Sequence, residues 1–163
     1  MTCPGVTPDF DQFFDANYAG VVRALTLAAG NRDRAEDAAQ EAFARACRKW
    51  RTVSTHERPV AWVHVVAMNV LRRSFRRKAQ EDGLLRVELD GSDDADPAMQ
   101  MTVHAAIDAL PPRQRAVIVL RYLVDLSVAE TADALRISTG TVKSTTHDAL
   151  RSMRIELEDE VVA

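Results

Sequence analysis

Ala35–Trp50 reads AEDAAQEAFARACRKW, and its apolar residues recur at intervals of three and one without a break. This spacing predicts an amphipathic helix, because at 100° per residue it places the apolar side chains on one face. Cys47 falls within the apolar stripe and is interpreted as a small buried hydrophobe rather than a redox centre. The opposite face of the helix carries Asp37, Gln40, Glu41, Ala44 and Arg48.

Helical patterning continues before and after this stretch. Thr7-Pro8 is typical of a helix start, with a capping residue followed by proline in the first turn. Residues 51–58 are polar and are interpreted as a loop, after which Pro59 opens a helix that we expect to reach about Lys78. Only 6 Gly and 6 Pro are present, too few for the frequent turns of a β-sandwich or barrel. The chain is therefore predicted to be all-α.

The second half of the chain contains the pattern of a helix-turn-helix. It begins with Asp96-Pro97, again a cap followed by proline. Ser127 and Glu130 form an S-x-x-E capping box that predicts a short helix over about Val128–Leu135. Ser138 is placed to cap the next helix, so a tight turn at Arg136-Ile137 joins the two. Such turns commonly need a residue in the left-handed conformation.

Charge divides the chain into segments. Residues 9–78 carry 13 basic and 8 acidic residues, whereas residues 79–106 carry 1 basic and 7 acidic. The aperiodic run Asp90–Pro97 is typical of a linker. We therefore expect two small helical domains, at residues 7–78 and 97–157, joined by an acidic flexible linker at residues 79–96. The second domain contains the helix-turn-helix.

Composition narrows the function. With 163 residues, of which 47% are hydrophobic and 28% charged, the chain suits an ordinary globular protein. It contains no run of 18 apolar residues and no N-terminal signal pattern, so we expect a cytoplasmic protein without membrane insertion. Two cysteines cannot form a disulfide framework or a four-ligand zinc site. No phosphate-binding, nucleophile-elbow or metal-ligand motif occurs, so neither a cofactor nor catalysis is expected.

One arc of the helix that starts at Pro59 combines an aromatic, an amide and several arginines. Its members are Trp62, Val65, Asn69, Arg72, Arg73 and Arg76. Such a face suits single-stranded or melted DNA, because aromatic rings stack on bases and arginines contact phosphates. On the alternative interpretation, Trp62 is a half-buried core residue and the arginines are a solvated helix end. The residues alone leave both interpretations open.

Several motifs together resemble a known family. Asp37–Ala46 resembles the D-x-x-Q-E-x-F signature of bacterial sigma factors, and Ala61–Asn69 resembles their A-W-L…A-x-N pattern. In the second half, Leu110–Arg115 is similar to L-P-x-x-x-R, Leu126–Ala132 to L-S-x-x-E-I-A, and Gly140–Ser144 to G-T-V-K-S. The motifs occur in the family's order over nearly the whole chain. Its length and short linker identify it with the extracytoplasmic-function class, group IV.

The resemblance implies a role for each polar face. The D-x-x-Q-E helix would dock on the clamp helices of core RNA polymerase through Asp37, Gln40, Glu41, Ala44 and Arg48. The minus-ten element, melted and with a flipped base, would be bound by Arg51, Ser54, Thr55, His56, Trp62, Asn69, Arg72, Arg73 and Arg76. The minus-35 element, as double-stranded DNA, would be read by Ser138, Thr139, Thr141, Lys143, Ser144, Thr145, His147, Asp148 and Arg151. An anti-sigma factor is a further expected partner, and the acidic linker could mimic RNA.

Three departures from the family pattern lie in the second half. Arg136 stands where the turn usually has glycine, Thr145 where arginine is common, and Asp148 where a basic residue is common. The sequence therefore predicts a sigma factor with a weakly basic recognition helix. The alternative is an operator-binding regulator whose N-terminal domain senses a ligand or dimerises. That alternative would need neither the free Asp37/Gln40/Glu41 face nor the Asn69 pocket.

Overall fold

The computed structural model describes residues 8–81 and 101–162, and within these ranges all regular structure is helical. This confirms the all-α prediction; most of the predicted linker, the caps at Thr7 and Asp96, and Pro97 lie outside the described residues. In this described part, no helix combines the length and apolar character needed to cross a membrane. The elements are α1 (Pro8–Ala29), α2 (Arg32–Arg48), α3 (Trp50–Val53), α4 (Pro59–Glu81), α5 (Met101–Asp108), α6 (Pro112–Ile118), α7 (Val128–Leu135) and α8 (Thr139–Val162).

The first half is built on the alanine stripe of α2. Its apolar positions from Ala35 to Cys47 are all buried, and they face α1 and α4. The aromatic end of α1 packs around Phe43 and Trp50, with Phe13 4.8 Å from the Trp50 ring and Phe14 5.0 Å from Phe43. Cys47 is buried as expected, but its sulfur belongs to a disulfide bond. The interpretation of Cys47 as a plain hydrophobe is wrong in that respect.

Local chemistry sets where the helices of the first half begin and end. Gly30 adopts a left-handed φ of 67°, which lets the chain reverse after α1. Asn31 then caps α2, its side chain accepting from the Arg34 backbone N–H at 3.0 Å. The loop predicted at residues 51–58 is wrong at its start, because Trp50–Val53 forms a short helix anchored by the buried Val53.

The helix-turn-helix is present with the predicted boundaries. The Ser127 side chain accepts from the Glu130 N–H, and the Glu130 carboxylate accepts from the Ser127 N–H, which completes the capping box. Arg136 adopts the left-handed conformation, with φ 55° and ψ 46°. Its N–H donates to the Asp133 carbonyl and that of Ile137 to the Ala132 carbonyl, the pattern of a Schellman turn. The expected left-handed turn is therefore confirmed.

The two halves pack against each other in the described structure. α4 contacts α7, and α1 contacts both α6 and the π-helical turn Val119–Leu123 that follows it. Buried residues from both halves form one continuous hydrophobic core. α4 also runs to Glu81, three residues past the expected end at Lys78. The boundaries at residues 7–78 and 97–157 thus mark sequence modules that share a core.

His64 of α4 is a buried polar residue within this core. Its side chain is 6% exposed, and Nδ1 has no hydrogen-bond partner among the described residues. Burial, together with the nearby positive charge of Arg58, lowers the pKa of His64 to about 4. The folded chain therefore holds this imidazole neutral, whereas an unfolded chain protonates it near pH 6.5.

This difference makes stability depend on pH. As pH falls from 6.5 towards 4 the unfolded state takes up a proton that the folded state refuses, so the free energy of unfolding falls, by about 2 kcal/mol at pH 5. His64→Leu removes this contribution and should flatten the decline. Urea unfolding at pH 7.5 and 5 measures the difference. His147→Leu, which removes an exposed histidine, should keep the wild-type decline; equal slopes for wild type and His64→Leu would contradict the prediction.

Candidate polymerase and nucleic-acid interfaces

The polar face of α2 points away from the core. Asp37, Gln40 and Arg48 are exposed, while Glu41 and Ala44 are half-buried. Glu41 Oε1 accepts a hydrogen bond from Arg45 Nε at 2.7 Å and lies 3.8 Å from Arg48 Nη2. The Arg45 hydrogen bond, helped by the Arg45 and Arg48 charges, lowers the pKa of Glu41 and keeps it ionised. The predicted docking residues thus form one surface of mixed charge.

A side chain near the start of α2 ties this helix to α4. Arg34 Nη1 donates to Ser74 Oγ at 2.9 Å, and the Arg34 guanidinium carbon lies 4.7 Å from the centre of the Phe75 ring. The hydrogen bond orients the Arg34 side chain, and the cation–π contact attracts its guanidinium to the Phe75 ring. The outer face of α2 is therefore held in a defined position relative to α4.

The predicted minus-ten residues lie on α4 and on the segment before it. Arg51, Ser54, Thr55 and His56 are exposed around the end of α3, and Arg73 and Arg76 are exposed on α4. Trp62, Asn69 and Arg72 are half-buried, and Trp62 packs partly on the core. Trp62 is therefore a half-buried residue that supports the core, and it lies on the arc that carries the arginines; its role in DNA binding stays a prediction.

Positive charge is concentrated towards the end of α4. Burial, and then the charges of Arg76 and Arg136, lower the pKa of Arg72. Burial is the larger cause, and the two neighbouring guanidiniums add like charge beside Arg72. This end of α4 is accordingly suited to a polyanion, which would supply the missing negative charge.

The Asn69 side chain is engaged within the protein. Its Nδ2 donates to the Val65 carbonyl at 3.0 Å, and its Oδ1 accepts from Arg136 Nε at 3.1 Å. Arg136 belongs to the turn of the helix-turn-helix, so this contact joins the two halves. Sequence reasoning placed Asn69 in the minus-ten surface and Arg136 only in the turn, and it missed their contact, since residues so far apart share no local periodicity.

A second arginine joins the two halves. Arg58 Nη1 donates to the Asp125 carbonyl at 2.6 Å, and Nη2 donates to the Val124 carbonyl at 3.1 Å. Asp125 has a left-handed φ of 59°, in the turn that precedes α7. The sequence marked Arg58 only as the end of a polar loop, and nothing local to it indicated this role.

The predicted minus-35 residues lie on and before α8. Ser138 caps the helix by accepting from the Thr141 N–H at 3.0 Å, as expected. Thr141 and Thr145 are half-buried, and the exposed members are Ser138, Thr139, Lys143, Ser144, His147, Asp148 and Arg151. Leu150 is apolar but 43% exposed, because it lies 80° around the helix from the buried Val142 at 100° per residue.

Known protein families match both halves of the chain. The family model for Sigma-70 region 2 matches residues 13–81, and the family model for Sigma-70, region 4 matches residues 100–153. The RNA polymerase sigma-E factor of Streptomyces coelicolor is 33% identical over 159 residues, covering 94% of this chain and 88% of that protein. The ECF RNA polymerase sigma factor SigW of Bacillus subtilis is 31% identical over 148 residues, covering 80% and 79%.

Solved structures share the fold. The sigma factor RpoE of Bartonella quintana, in complex with the anti-sigma factor NepR, superposes with a TM-score of 0.71 at 19% identity. That match covers 93% of this chain and 98% of RpoE. CnrH in complex with the cytosolic domain of CnrY gives 0.57 at 22% identity, covering 95% and 91%. With the two region models and the curated relatives, these findings place the chain in the family of extracytoplasmic-function sigma factors, which direct RNA polymerase to promoters.

Proposed function

We propose that this sigma factor acts through three binding surfaces and catalyses no reaction of its own. One surface docks on core RNA polymerase, one captures the melted minus-ten element, and one reads the minus-35 element. The observation that carries the proposal is the arrangement of α2 and α4. Their apolar faces meet in the core, so the Asp37/Gln40/Glu41 face lies outside and the Trp62/Asn69/arginine arc lies on another side of α4, where Arg73 and Arg76 are exposed and Trp62, Asn69 and Arg72 are half-buried.

The outer face of α2 is the proposed polymerase-docking surface. Its acidic and amide groups suit a partner surface that offers basic and polar side chains. The Arg45 and Arg48 contacts hold the Glu41 carboxylate in place, so less side-chain entropy is lost when a partner binds. Asp37 and Gln40 are exposed and therefore accessible to a partner.

The arc of α4, with the segment after α3, is the proposed minus-ten surface. A base that leaves the stack costs a few kcal/mol, which stacking and edge hydrogen bonds must repay. Trp62 offers an aromatic face, Asn69 offers a donor and an acceptor, and Arg72, Arg73 and Arg76 offer charge for phosphates. Arg51, Ser54, Thr55 and His56 extend the surface towards the start of α4.

The helix-turn-helix is the proposed minus-35 reader, with α8 as recognition helix in the major groove. Residues 79–96 would then span the two modules, and their acidic character suits a path through basic surfaces of the polymerase. An anti-sigma factor is the proposed regulator, supported by the fold neighbour RpoE, which was solved with the anti-sigma factor NepR. With these partners, the proposed site of action is the cytoplasm.

The docking surface can be tested on polymerase binding. Asp37→Ala with Gln40→Ala should weaken binding to core RNA polymerase roughly tenfold or more, as expected for residues at the centre of an interface. Thermal stability should change by no more than about 0.5 kcal/mol, because both side chains are exposed. Fluorescence anisotropy of the labelled chain titrated with core polymerase measures the affinity.

A matched control lies on α1. Gln12→Ala with Asp15→Ala removes the same two side-chain types at the same spacing, also from exposed positions. It should leave polymerase binding unchanged. Equal losses in the two double variants would assign the effect to charge alone and contradict the docking surface.

Asp148 is expected to weaken DNA binding by repelling phosphates. Asp148→Ala should therefore tighten binding to promoter and to randomised duplex DNA alike. Asp148→Arg should tighten it further and steepen the salt dependence, with the slope of log K against log salt changing by about 0.9 for each phosphate gained. Filter binding of full-length protein over a salt series measures both quantities.

The control for Asp148 is Asp15→Ala, which changes net charge equally on α1 and should not affect DNA binding. If Asp148→Ala instead loses affinity for one particular minus-35 sequence only, phosphate repulsion is not the role of Asp148. In that case the carboxylate accepts from a cytosine amino group, a contact worth about 1–3 kcal/mol of discrimination.

A further inference from the structure

Asn69 is both the proposed base reader and a residue with protein partners. Its Oδ1 accepts from Arg136 Nε at 3.1 Å, and its Nδ2 donates to the Val65 carbonyl at 3.0 Å. A base amino group would seek the same Oδ1 that Arg136 uses. The Arg136 guanidinium therefore occupies the acceptor that the amino group of a flipped base would use.

The second half is also tied to the first through Arg58. Its two terminal nitrogens donate to the Asp125 carbonyl at 2.6 Å and the Val124 carbonyl at 3.1 Å. These carbonyls precede α7, whereas Arg136 directly follows it. Both ends of α7 are thus anchored to the first half, on either side of its packing contact with α4.

We propose that Arg58 and Arg136 form an intramolecular latch, which holds α7 over the base-reading arc of α4 and closes that arc to melted DNA. The proposal rests on the proposed role of Asn69. In the closed state the Asn69 amide is occupied and the arc is partly covered around Asn69 and Arg72, whereas Arg73 and Arg76 stay exposed. Opening of the latch frees the Asn69 amide and uncovers the rest of the minus-ten surface.

The latch and a simple electrostatic role for Arg136 predict opposite changes in DNA affinity when the guanidinium is removed. Arg136 adds positive charge near Arg72 and Arg76, and charge of this sign attracts DNA. If Arg136 were only a surface cation, its removal would weaken DNA binding. If it is a latch, its removal raises the fraction of open molecules, and the apparent affinity rises with that fraction.

The left-handed conformation of Arg136 supplies a pair of informative variants. Alanine keeps a side chain at a φ of 55° but lacks the guanidinium, whereas glycine lacks the guanidinium and accepts this φ without strain. Both variants should open the latch, but only glycine relieves the backbone strain at position 136. If the alanine variant folds poorly, the glycine variant still carries the test.

The experiment uses the full-length chain and a short single-stranded DNA of randomised sequence. Arg58→Ala/Arg136→Ala and Arg58→Ala/Arg136→Gly should each bind this DNA roughly tenfold more tightly than wild type, a factor that corresponds to about 1.4 kcal/mol. Small-angle scattering should show the wild type near a radius of gyration of about 15 Å, the value for one compact body of this length. Both double variants should be larger.

The control is Arg113→Ala, which removes an exposed arginine from α6 and should neither tighten DNA binding nor expand the chain. Equal or weaker DNA binding by both double variants would overturn the latch, whatever their size. Asn69→Ala in the opened Arg58→Ala/Arg136→Ala background tests the proposed function separately. If it leaves DNA affinity unchanged there while the opened variant still binds more tightly than wild type, Asn69 is not the base reader but the latch stands.

Discussion

Close packing of α2 on α4 through small side chains is the constraint on which the other features depend. Ala35, Ala38, Ala39, Ala42 and Ala46 of α2 are almost fully buried. The distance between packed helices is set by the side chains at the contact, so alanines let the two backbones approach closely. Larger residues there would force the helices apart and cost roughly 1–3 kcal/mol each. Because the apolar faces are buried in this contact, the polar face of α2 has to lie outside, and the polar arc of α4 lies on a different side of that helix.

Much of this arrangement could be predicted from the sequence, where the signals are local. The alanine stripe predicted α2, the capping box predicted the start of α7, and the position of Arg136 in the turn predicted its left-handed backbone. Local signals failed where packing decides. The helical turn Trp50–Val53 carries a polar pattern and forms because Val53 is buried. Leu150 is apolar but lies too far around α8 to reach the core.

Contacts between the halves could not be predicted, because they join residues far apart in the chain. Arg58 and Asp125, like Asn69 and Arg136, come together only through the packing of α1 on α6 and of α4 on α7. Each of these residues is polar and lies at a helix end, in a turn, or on an outward arc. From the sequence alone each looks like an ordinary surface residue. Their pairing follows from the tertiary structure, and no local sequence signal indicates it.

In the proposed latch, Arg136 is the residue at which the closed state and DNA recognition compete. A non-glycine residue in the left-handed conformation costs roughly 1–2 kcal/mol, so the turn retains a strain that glycine would relieve. What the arginine adds is a guanidinium within reach of Asn69. Two ligands that exclude each other from one group weaken each other's binding by the same factor. In the proposed latch, the free energy that closes α7 over α4 would therefore be subtracted from the apparent affinity for melted DNA, and DNA that binds Asn69 would in turn loosen the contact between the halves.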